Sequence, residues 1–246
     1  MRTGFGLAGV RLRKRAGILL SASLVLATNR ALSADIAWVW PSSGAPIGGY
    51  TEAAVLVESF VLHHEGSERL PRLRALALPP GMTVTPVVHV QSAPDSGNRF
   101  AEAQRRAVFE AVDRHAHEST SGWLQLDFEA PARQRDDYVA LVHDIRIRLP
   151  RRLRLSVTVQ ANWCAQADWL ARLDADEVVP MLYRLGPDAA RWRARWTDPR
   201  SGLSARCLAG ASGDSIQETS APRRTGDTAR HYWFNESNWS PNPQTP

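Results

Sequence analysis

Several features that define common protein classes are missing from this sequence. No glycine-rich phosphate loop follows the first predicted strand, which removes the main support for a nucleotide-binding open sheet. No nucleophile-elbow motif is present, so the scattered serine, histidine and aspartate residues do not indicate a catalytic triad. The chain also has no visible internal repeat and no Gly/Ser-rich linker. These absences favour one domain with its own core.

Lysine is almost absent, and arginine outnumbers it 29 to 1. We attribute this bias to genomic base composition, because it affects all parts of the chain. The formal net charge of +5 is also uneven, since six of the 30 basic residues and no acidic residue lie in residues 1–34. The remainder has 24 basic and 25 acidic residues, a net charge of −1. It therefore offers no electrostatic case for binding nucleic acid or an anionic membrane.

The apolar run of residues 16–28 is too short for a comfortable transmembrane span. Five basic residues precede it and small residues follow it, the arrangement of a secretory signal peptide. We predict a signal peptide over residues 1–34, export to the periplasm or beyond, and no stable membrane insertion after cleavage. An uncleaved anchor is the alternative. Cys164 and Cys207 would then either pair in an oxidising compartment or remain buried thiols.

Residues 35–246 read as alternating strands and helices, ending in a polar, proline-rich tail. The predicted strands are 35–40, 53–62, 82–91, 123–129, 153–159, 177–183, 206–211 and 230–235. The predicted helices are 100–117, 136–149, 168–173 and 189–196. This alternation indicates a parallel sheet. Eight strands in 212 residues predict a single α/β domain, a compact (β/α)8 TIM-like barrel that is irregular where its helices are short. An open doubly wound sheet is the alternative.

The strand at 123–129 ends in two carboxylates. Its period-2 alternation places Asp127 and Glu129 on one face, with Gln125 one step behind them. Burying such a pair is costly, and the carboxyl ends of barrel strands are where active sites lie. We therefore predict a ligand-facing site. The alternative is a buried carboxylate network that closes one end of the barrel.

Four segments carry a family resemblance. Gly122–Glu129 resembles the fourth-strand motif Asp-Gly-x-Asp-x-Asp-x-Glu of family 18 chitinase-like glycosidases. Leu155–Thr158 is similar to that family's fifth strand, and Pro180–Tyr183 to its sixth-strand Met-x-Tyr. Trp233 matches the tryptophan that floors the sugar site. The run 124–186 resembles more closely a bacterial family catalogued as domain of unknown function 3142, which is glycosidase-like.

The resemblance implies roles for particular residues of a retaining, chitinase-like glycosidase. Glu129 falls on the general acid, Asp127 on its electrostatic partner, and Tyr183 on an orienting hydroxyl. Trp233 would be the stacking floor, and Trp163 is a weaker sugar-binding candidate. Neighbouring like charges raise one carboxyl pKa, which suits a proton donor. The expected protein is an exported glycoside-hydrolase-like barrel that acts on a polysaccharide or glycoconjugate as its carbohydrate ligand and needs no cofactor.

Departures from the motif support a second hypothesis. Gly122 and Gln125 replace two of its aspartates, and Arg184 replaces the aspartate after Tyr183. Gln125 can hydrogen-bond Asp127 but cannot share its charge, and Arg184 would lower the pKa of a neighbouring carboxyl. Gln125 and Arg184 are therefore predicted substrate-binding residues. They favour the alternative of a non-catalytic carbohydrate-binding barrel of the cell envelope. The sugar, the linkage and the oligomeric state stay open.

A metal-dependent hydrolase is a third possibility. His63, His64 and Glu65 follow the second predicted strand, and His89 lies on the third. Their spacing matches no established ligand pattern, so a solvated loop is the preferred interpretation and no metal is predicted. Metal chemistry would require one of these histidines to converge with Asp127.

Overall fold

The computed structural model describes residue 1 and residues 34–40, 49–73, 75–218 and 230–235. Its strands are β1 (Ala34–Val39), β2 (Glu52–Leu62), β3 (Ser67–Pro71), β4 (Thr83–Ser92), β5 (Trp123–Glu129), β6 (Arg154–Gln160), β7 (Glu177–Met181), β8 (Ser212–Ser215) and β9 (Arg230–Phe234). Its α-helices are α1 (Glu102–Ala116), α2 (Arg135–Arg148), α3 (Ala167–Leu170) and α4 (Ala189–Thr197). Nearly all of the predicted signal peptide and the proline-rich tail lie outside the described residues.

Eight strands form a closed parallel barrel. They follow the order β1-β9-β8-β7-β6-β5-β4-β2, and β2 pairs in turn with β1. Trp38 of β1 lies opposite Ala54 on one side and Phe234 on the other. The predicted (β/α)8 TIM-like barrel is therefore confirmed. The sequence did not predict β3, which pairs antiparallel with the second half of β2.

The barrel is irregular, as expected from the sequence. The four α-helices of the described segments follow β4, β5, β6 and β7, whereas the hairpin strand β3 connects β2 to β4. Helix α1 buries Val108, Phe109 and Val112, whose spacing matches one helical face. Helix α2 ends immediately before Leu149 and Pro150, because proline cannot continue a helix. Within the described chain, no helix has both the length and the apolarity needed to cross a bilayer.

Side chains alternate between the barrel interior and the layer under the helices. On β5, Leu124, Leu126 and Phe128 join the large apolar cluster that includes α1 and α2. Gln125 and Asp127 point the other way and are buried inside the barrel. This period-2 pattern decides which face each candidate residue can reach.

One local prediction was wrong. The predicted strand at 206–211 is displaced, because residues 205–208 form a turn and β8 begins at Ser212. The guanidinium of Arg206 donates hydrogen bonds to the carbonyls of Leu173 and Ala175. In the pairing of β2 with β4, the register shifts between Leu56 and Glu58.

A buried ion-pair network closes the amino-terminal end of the barrel. Arg230 contacts Glu52 at 2.6 Å (Nη2–Oε1) and Glu177 at 3.3 Å (Nε–Oε2). The Tyr232 hydroxyl donates to Glu177 Oε1 at 2.7 Å. Burial raises the pKa of Glu177, and the charge of Arg230 offsets this only in part. Such a network was the alternative considered for Asp127 and Glu129, but it lies at the opposite end of the strands.

Cys164 and Cys207 form a disulfide, so the pairing left open by the sequence is settled. Cys164 lies in the 3-10 turn of residues 161–165 that follows β6, and Cys207 lies in the segment before β8. The backbone N–H of Ser204 also donates to the Cys164 carbonyl at 2.7 Å. The bond therefore joins two connections that flank β7 and α4.

Gly213 on β8 makes a close approach to the interior that a larger residue would prevent. A Cβ atom at this position would collide with Cζ3 of the Trp38 ring. We expect Gly213→Ala to destabilise the protein by about 1–3 kcal/mol through overpacking, measured by urea unfolding. Gly66→Ala is the matched control, since a Cβ there meets nothing within 4 Å. Equal stability of both variants would contradict the tight interior.

Removing the disulfide tests the second constraint. Replacing Cys164 and Cys207 together by alanine should lower the free energy of unfolding by about 2–4 kcal/mol, because the unfolded chain loses a cross-link. The measurement is urea unfolding of wild type and variant, with wild type also unfolded under reducing conditions. A reductant that does not affect wild-type stability would show that the bond is absent in solution.

Candidate active site at the carboxyl end of the barrel

The candidate site lies at the mouth formed by the carboxyl ends of the strands. His89 of β4 is in direct register with Asp127 of β5, and Gln91 with Glu129. Thr158 of β6 reaches the same group of side chains. Three neighbouring strands therefore bring polar groups together at the end of the barrel where chemistry is usually found.

Asp127 is held at both of its carboxylate oxygens. It is 4% exposed, Oδ2 lies 3.0 Å from Nδ1 of His89, and Oδ1 accepts the Thr158 hydroxyl at 2.5 Å. A carboxylate with both oxygens bonded cannot turn without breaking a bond to a buried partner, which is costly. Asp127 is thus a fixed charge beneath the mouth.

Glu129 lies two residues further along the same face and is exposed at the mouth. Desolvation raises the pKa of its carboxyl above the ordinary value of 4.5, and the charge of Asp127 raises it further. His89 and Arg184 lower it, but the net direction is upward. Water reaches Glu129 from one side while protein groups surround the rest, as expected for a concave mouth. A carboxyl in this environment retains its proton to higher pH.

His89 forms a charged pair with Asp127. Its burial opposes protonation, but the charge and hydrogen bond of Asp127, together with the charge of Glu129, raise the pKa of the imidazole above 6.5. The residue as a whole is 8% exposed. From the sequence, His89 was interpreted only as a possible metal ligand. In the structure it is the hydrogen-bond partner of Asp127.

Aromatic rings line one side of the mouth. Trp40 meets the His89 ring edge-on at 5.3 Å between centroids, and it contacts Phe234 at 6.0 Å. Tyr183 stacks on Phe234 at 5.2 Å, and its hydroxyl lies 3.5 Å from the sulfur of Met181. Trp40 and Tyr183 are both half-buried. The predicted orienting residue Tyr183 therefore lies at the mouth, and Trp40 and Phe234 join it there.

Gln125 does not reach the mouth. It is fully buried, its Oε1 accepts from Trp38 Nε1 at 2.7 Å, and its Nε2 donates to Ser156 at 3.0 Å. Both ends of the amide are therefore used within the barrel. The predicted substrate-binding role is corrected to a structural one, because period-2 alternation puts Gln125 one layer below Asp127.

The two predicted stacking tryptophans also lie elsewhere. Trp233 is on the outer face of β9, where its Nε1 donates to Asp35 at 2.9 Å, because Tyr232 and Phe234 take the inward positions. Trp163 is 2% exposed and packs against Tyr138 and Trp169 under the helices, with Arg135 over its ring. Neither ring is at the mouth. A motif match that is off by one residue in a strand reverses the face.

Arg184 lies on the rim, directly after Tyr183. It is exposed, adopts the left-handed backbone conformation (φ 54°), and donates its backbone N–H to Glu218 at 2.8 Å. Glu218 in turn pairs with Arg193 at 2.8 Å. These residues line an open depression of about 530 Å³ with Leu185, Gly186 and Ala189. Arg184 thus contributes charge beside the site, as its effect on Glu129 shows.

Two side chains after β5 support the rim rather than face a ligand. Arg133 donates to the Ser96 hydroxyl at 2.9 Å, and Gln134 donates to the Gly97 carbonyl at 2.6 Å. The Ser92 hydroxyl donates to Gln134 at 2.6 Å. The loop after β4 is therefore fastened to the turn after β5, which fixes the surroundings of His89 and Glu129.

The histidines considered as metal ligands are separated. His63 contacts Asp95 at 3.2 Å, whereas His89 contacts Asp127. In the part of the chain that the structure describes, no three His, Cys, Asp or Glu side chains form a group that could hold a metal ion. The signal that identifies His89 and Thr158 is available in the sequence: each is a polar residue that lies between two valines of a strand.

No family model matches this chain, and no curated protein matches it. Several solved structures are similar to part of it, including the following two. The spore cortex-lytic enzyme SleL of Bacillus cereus is 19% identical, with 63% of this chain and 42% of that chain covered and a TM-score of 0.39. A glycoside hydrolase family 18 N-acetylglucosaminidase of Paenibacillus barengoltzii is 19% identical, with 61% and 53% covered and a TM-score of 0.41.

This chain thus spans about half the length of either protein. Its barrel architecture is established by its own strand pairing. The resemblance to the family of domain of unknown function 3142 stays a prediction.

The raised pKa of Glu129 has a consequence for stability. A carboxyl whose pKa is raised by folding stabilises the folded state fully below its unfolded value, here 4.5, and this contribution is lost as the pH rises through the folded value. Relative to Glu129→Gln, wild type should therefore become less stable as the pH rises above 4.5. Urea unfolding of both proteins across this range is the measurement, and parallel stability curves would contradict the raised pKa.

Proposed function

We propose that this protein is an exported, glycoside-hydrolase-like barrel that acts on a polysaccharide or glycoconjugate. The observation that carries the proposal is the pairing of two unlike carboxyls at the mouth. Glu129 is accessible and holds its proton to raised pH, whereas Asp127 is buried and fixed. Two carboxyl groups in different environments are the arrangement that glycosidic cleavage needs.

In this mechanism Glu129 donates its proton to the glycosidic oxygen as the bond from that oxygen to the anomeric carbon breaks. The sugar ring becomes positively charged, and the carboxylate of Asp127 stabilises that charge. A water molecule then adds to the anomeric carbon and returns a proton to Glu129. The resemblance to family 18 enzymes supports a retaining course, in which the sugar's own acetamido oxygen first bonds the anomeric carbon and Tyr183 orients it.

Sugar stacking is assigned to Trp40 instead of Trp233. Flat aromatic faces bind the apolar faces of sugar rings, and Trp40 is a half-buried indole at the mouth, beside His89 and Phe234. Arg184 on the rim can donate hydrogen bonds to sugar hydroxyls. Trp40 contacts His89, and Arg184 acts electrostatically on Glu129, so both residues border the groups assigned to the site.

Export to the periplasm or beyond remains part of the proposal. The disulfide between Cys164 and Cys207 supports an oxidising compartment, where such bonds form and persist. The basic, apolar and small-residue order of residues 1–34 supports the same location.

One observation favours a second function, a non-catalytic carbohydrate-binding barrel. His89 lies 3.0 Å from Asp127 and carries positive charge below its raised pKa. The pair is then neutral overall, so less negative charge is left to stabilise a cationic transition state. A mouth that binds sugar without cleaving it would tolerate this neutralisation.

The first experiment compares hydrolysis of aryl glycosides and envelope polysaccharides by wild type and Glu129→Gln. This substitution keeps the shape of the side chain and removes the transferable proton. We expect the activity to fall by at least about 100-fold, the lower end of a general acid's contribution. Glu110→Gln on the exposed face of α1 is the control and should retain full activity.

The same panel separates the two functions. An inert wild type that binds a glycan as tightly as Glu129→Gln would identify a binding barrel. An active Glu129→Gln variant would exclude Glu129 as the acid.

A further inference from the structure

The two ring nitrogens of His89 differ in their hydrogen bonding. Its Nδ1 is bonded to Asp127, and the ring is packed edge-on against Trp40. For Nε2, on the far side of the ring, the described residues supply no hydrogen-bond partner, while 11% of the side chain is exposed. Nε2 is not one of the buried side-chain atoms that lack a partner, so solvent reaches it while most of the ring is covered. It is therefore the ring nitrogen that a ligand in the mouth can contact.

We propose that His89 is a ligand-contacting residue of the site, oriented by Asp127 so that Nε2 hydrogen-bonds an oxygen of the bound sugar beside Glu129. This inference rests on the proposed function only for its ligand class. It adds a third polar contact to the carboxyl pair and changes the role of Asp127. Asp127 becomes the group that positions His89 as well as the charge beneath Glu129.

The geometry fixes what Nε2 can do. A carboxylate at Nδ1 selects the form of the ring that carries a hydrogen there, so neutral His89 accepts at Nε2 and protonated His89 donates. Thr158 bonds the other oxygen of Asp127, which keeps the carboxylate facing the ring. Below the raised pKa of the imidazole, Nε2 therefore presents a donor to a hydroxyl or carbonyl oxygen.

In the part of the chain that the structure describes, Asp127 and Glu129 of β5 are the charged groups that act on this ring, and both favour its protonated form. Arg184 acts on Glu129 from the rim. The charge of Asp127 also adds to desolvation in raising the pKa of the Tyr138 hydroxyl on α2. The protonation of His89 thus depends on the balance between its burial, which opposes the charged form, and the two carboxyls of the site, which favour it.

The near-absence of lysine makes the test specific, because diethyl pyrocarbonate modifies amines as well as neutral imidazoles. Mass spectrometry of wild type treated above the raised pKa should show His89 modified, and glycans of the hydrolysis panel added in excess should slow that modification severalfold. His143 is the control. Its Nδ1 lies 3.2 Å from Asp174, its side chain is 57% exposed, and glycans should leave its reactivity unchanged.

Titration of the histidine nitrogens by NMR tests the orientation without any ligand. We expect Asp127→Asn to lower the pKa of His89 measurably, because a neighbouring negative charge and its hydrogen bond are removed. Asp174→Asn, the matched change at His143, should leave His89 unaffected.

The inference is overturned if His89 is unreactive, if no panel glycan protects it, or if Asp127→Asn leaves its pKa unchanged. It fails separately from the proposed function. Protection without hydrolysis retains the His89 contact and rejects the glycosidase. Hydrolysis without protection of His89 retains the glycosidase and rejects the His89 contact.

Discussion

Closure of the barrel by β1 is the constraint on which the rest of the structure depends. Because β1 pairs with both β2 and β9, alternate side chains of all eight strands enter one shared interior of limited width. Trp38 takes much of that space. Gly213 of β8 leaves room for its ring, and its indole N–H donates a hydrogen bond to Gln125 of β5. Asp127 lies in the next layer of interior side chains, directly above Gln125. The position of the carboxyl pair therefore follows from how the indole below it is packed.

The barrel interior has polar groups at both ends, and the two groups differ in whether they are fully hydrogen-bonded within the protein. At the amino-terminal end Arg230 lies between two glutamates, and the network is buried and internally bonded. At the carboxyl end Asp127 is satisfied by His89 and Thr158, but Glu129 faces water. The first arrangement closes the barrel. The second leaves groups in reach of a ligand, which is why only that end supports a functional proposal.

The sequence predicted the barrel and the carboxyl pair because both depend on local periodicity. Asp127 and Glu129 share a face in any strand, whatever its neighbours. The missed features depend on pairing between distant segments: β3 is defined by β2, and the disulfide holds residues 205–208 as a turn where a strand was expected. The alignment of Trp233 with a family motif ignored the strand's own alternation. His89 was visible as a polar residue between two valines, but its partner Asp127 could be assigned only from the register of β4 and β5.

The disulfide also changes the connectivity of the molecule. It makes residues 164–207, including β7 and α4, a covalent ring whose two ends meet beside β6. This ring contains Tyr183 and Arg184 and is rich in arginine, the residue after which trypsin cuts. One cleavage inside it opens the ring without releasing a fragment, so the two parts of the barrel stay joined until the bond is reduced. The rim of the mouth can thus be nicked while the chain remains one covalent molecule.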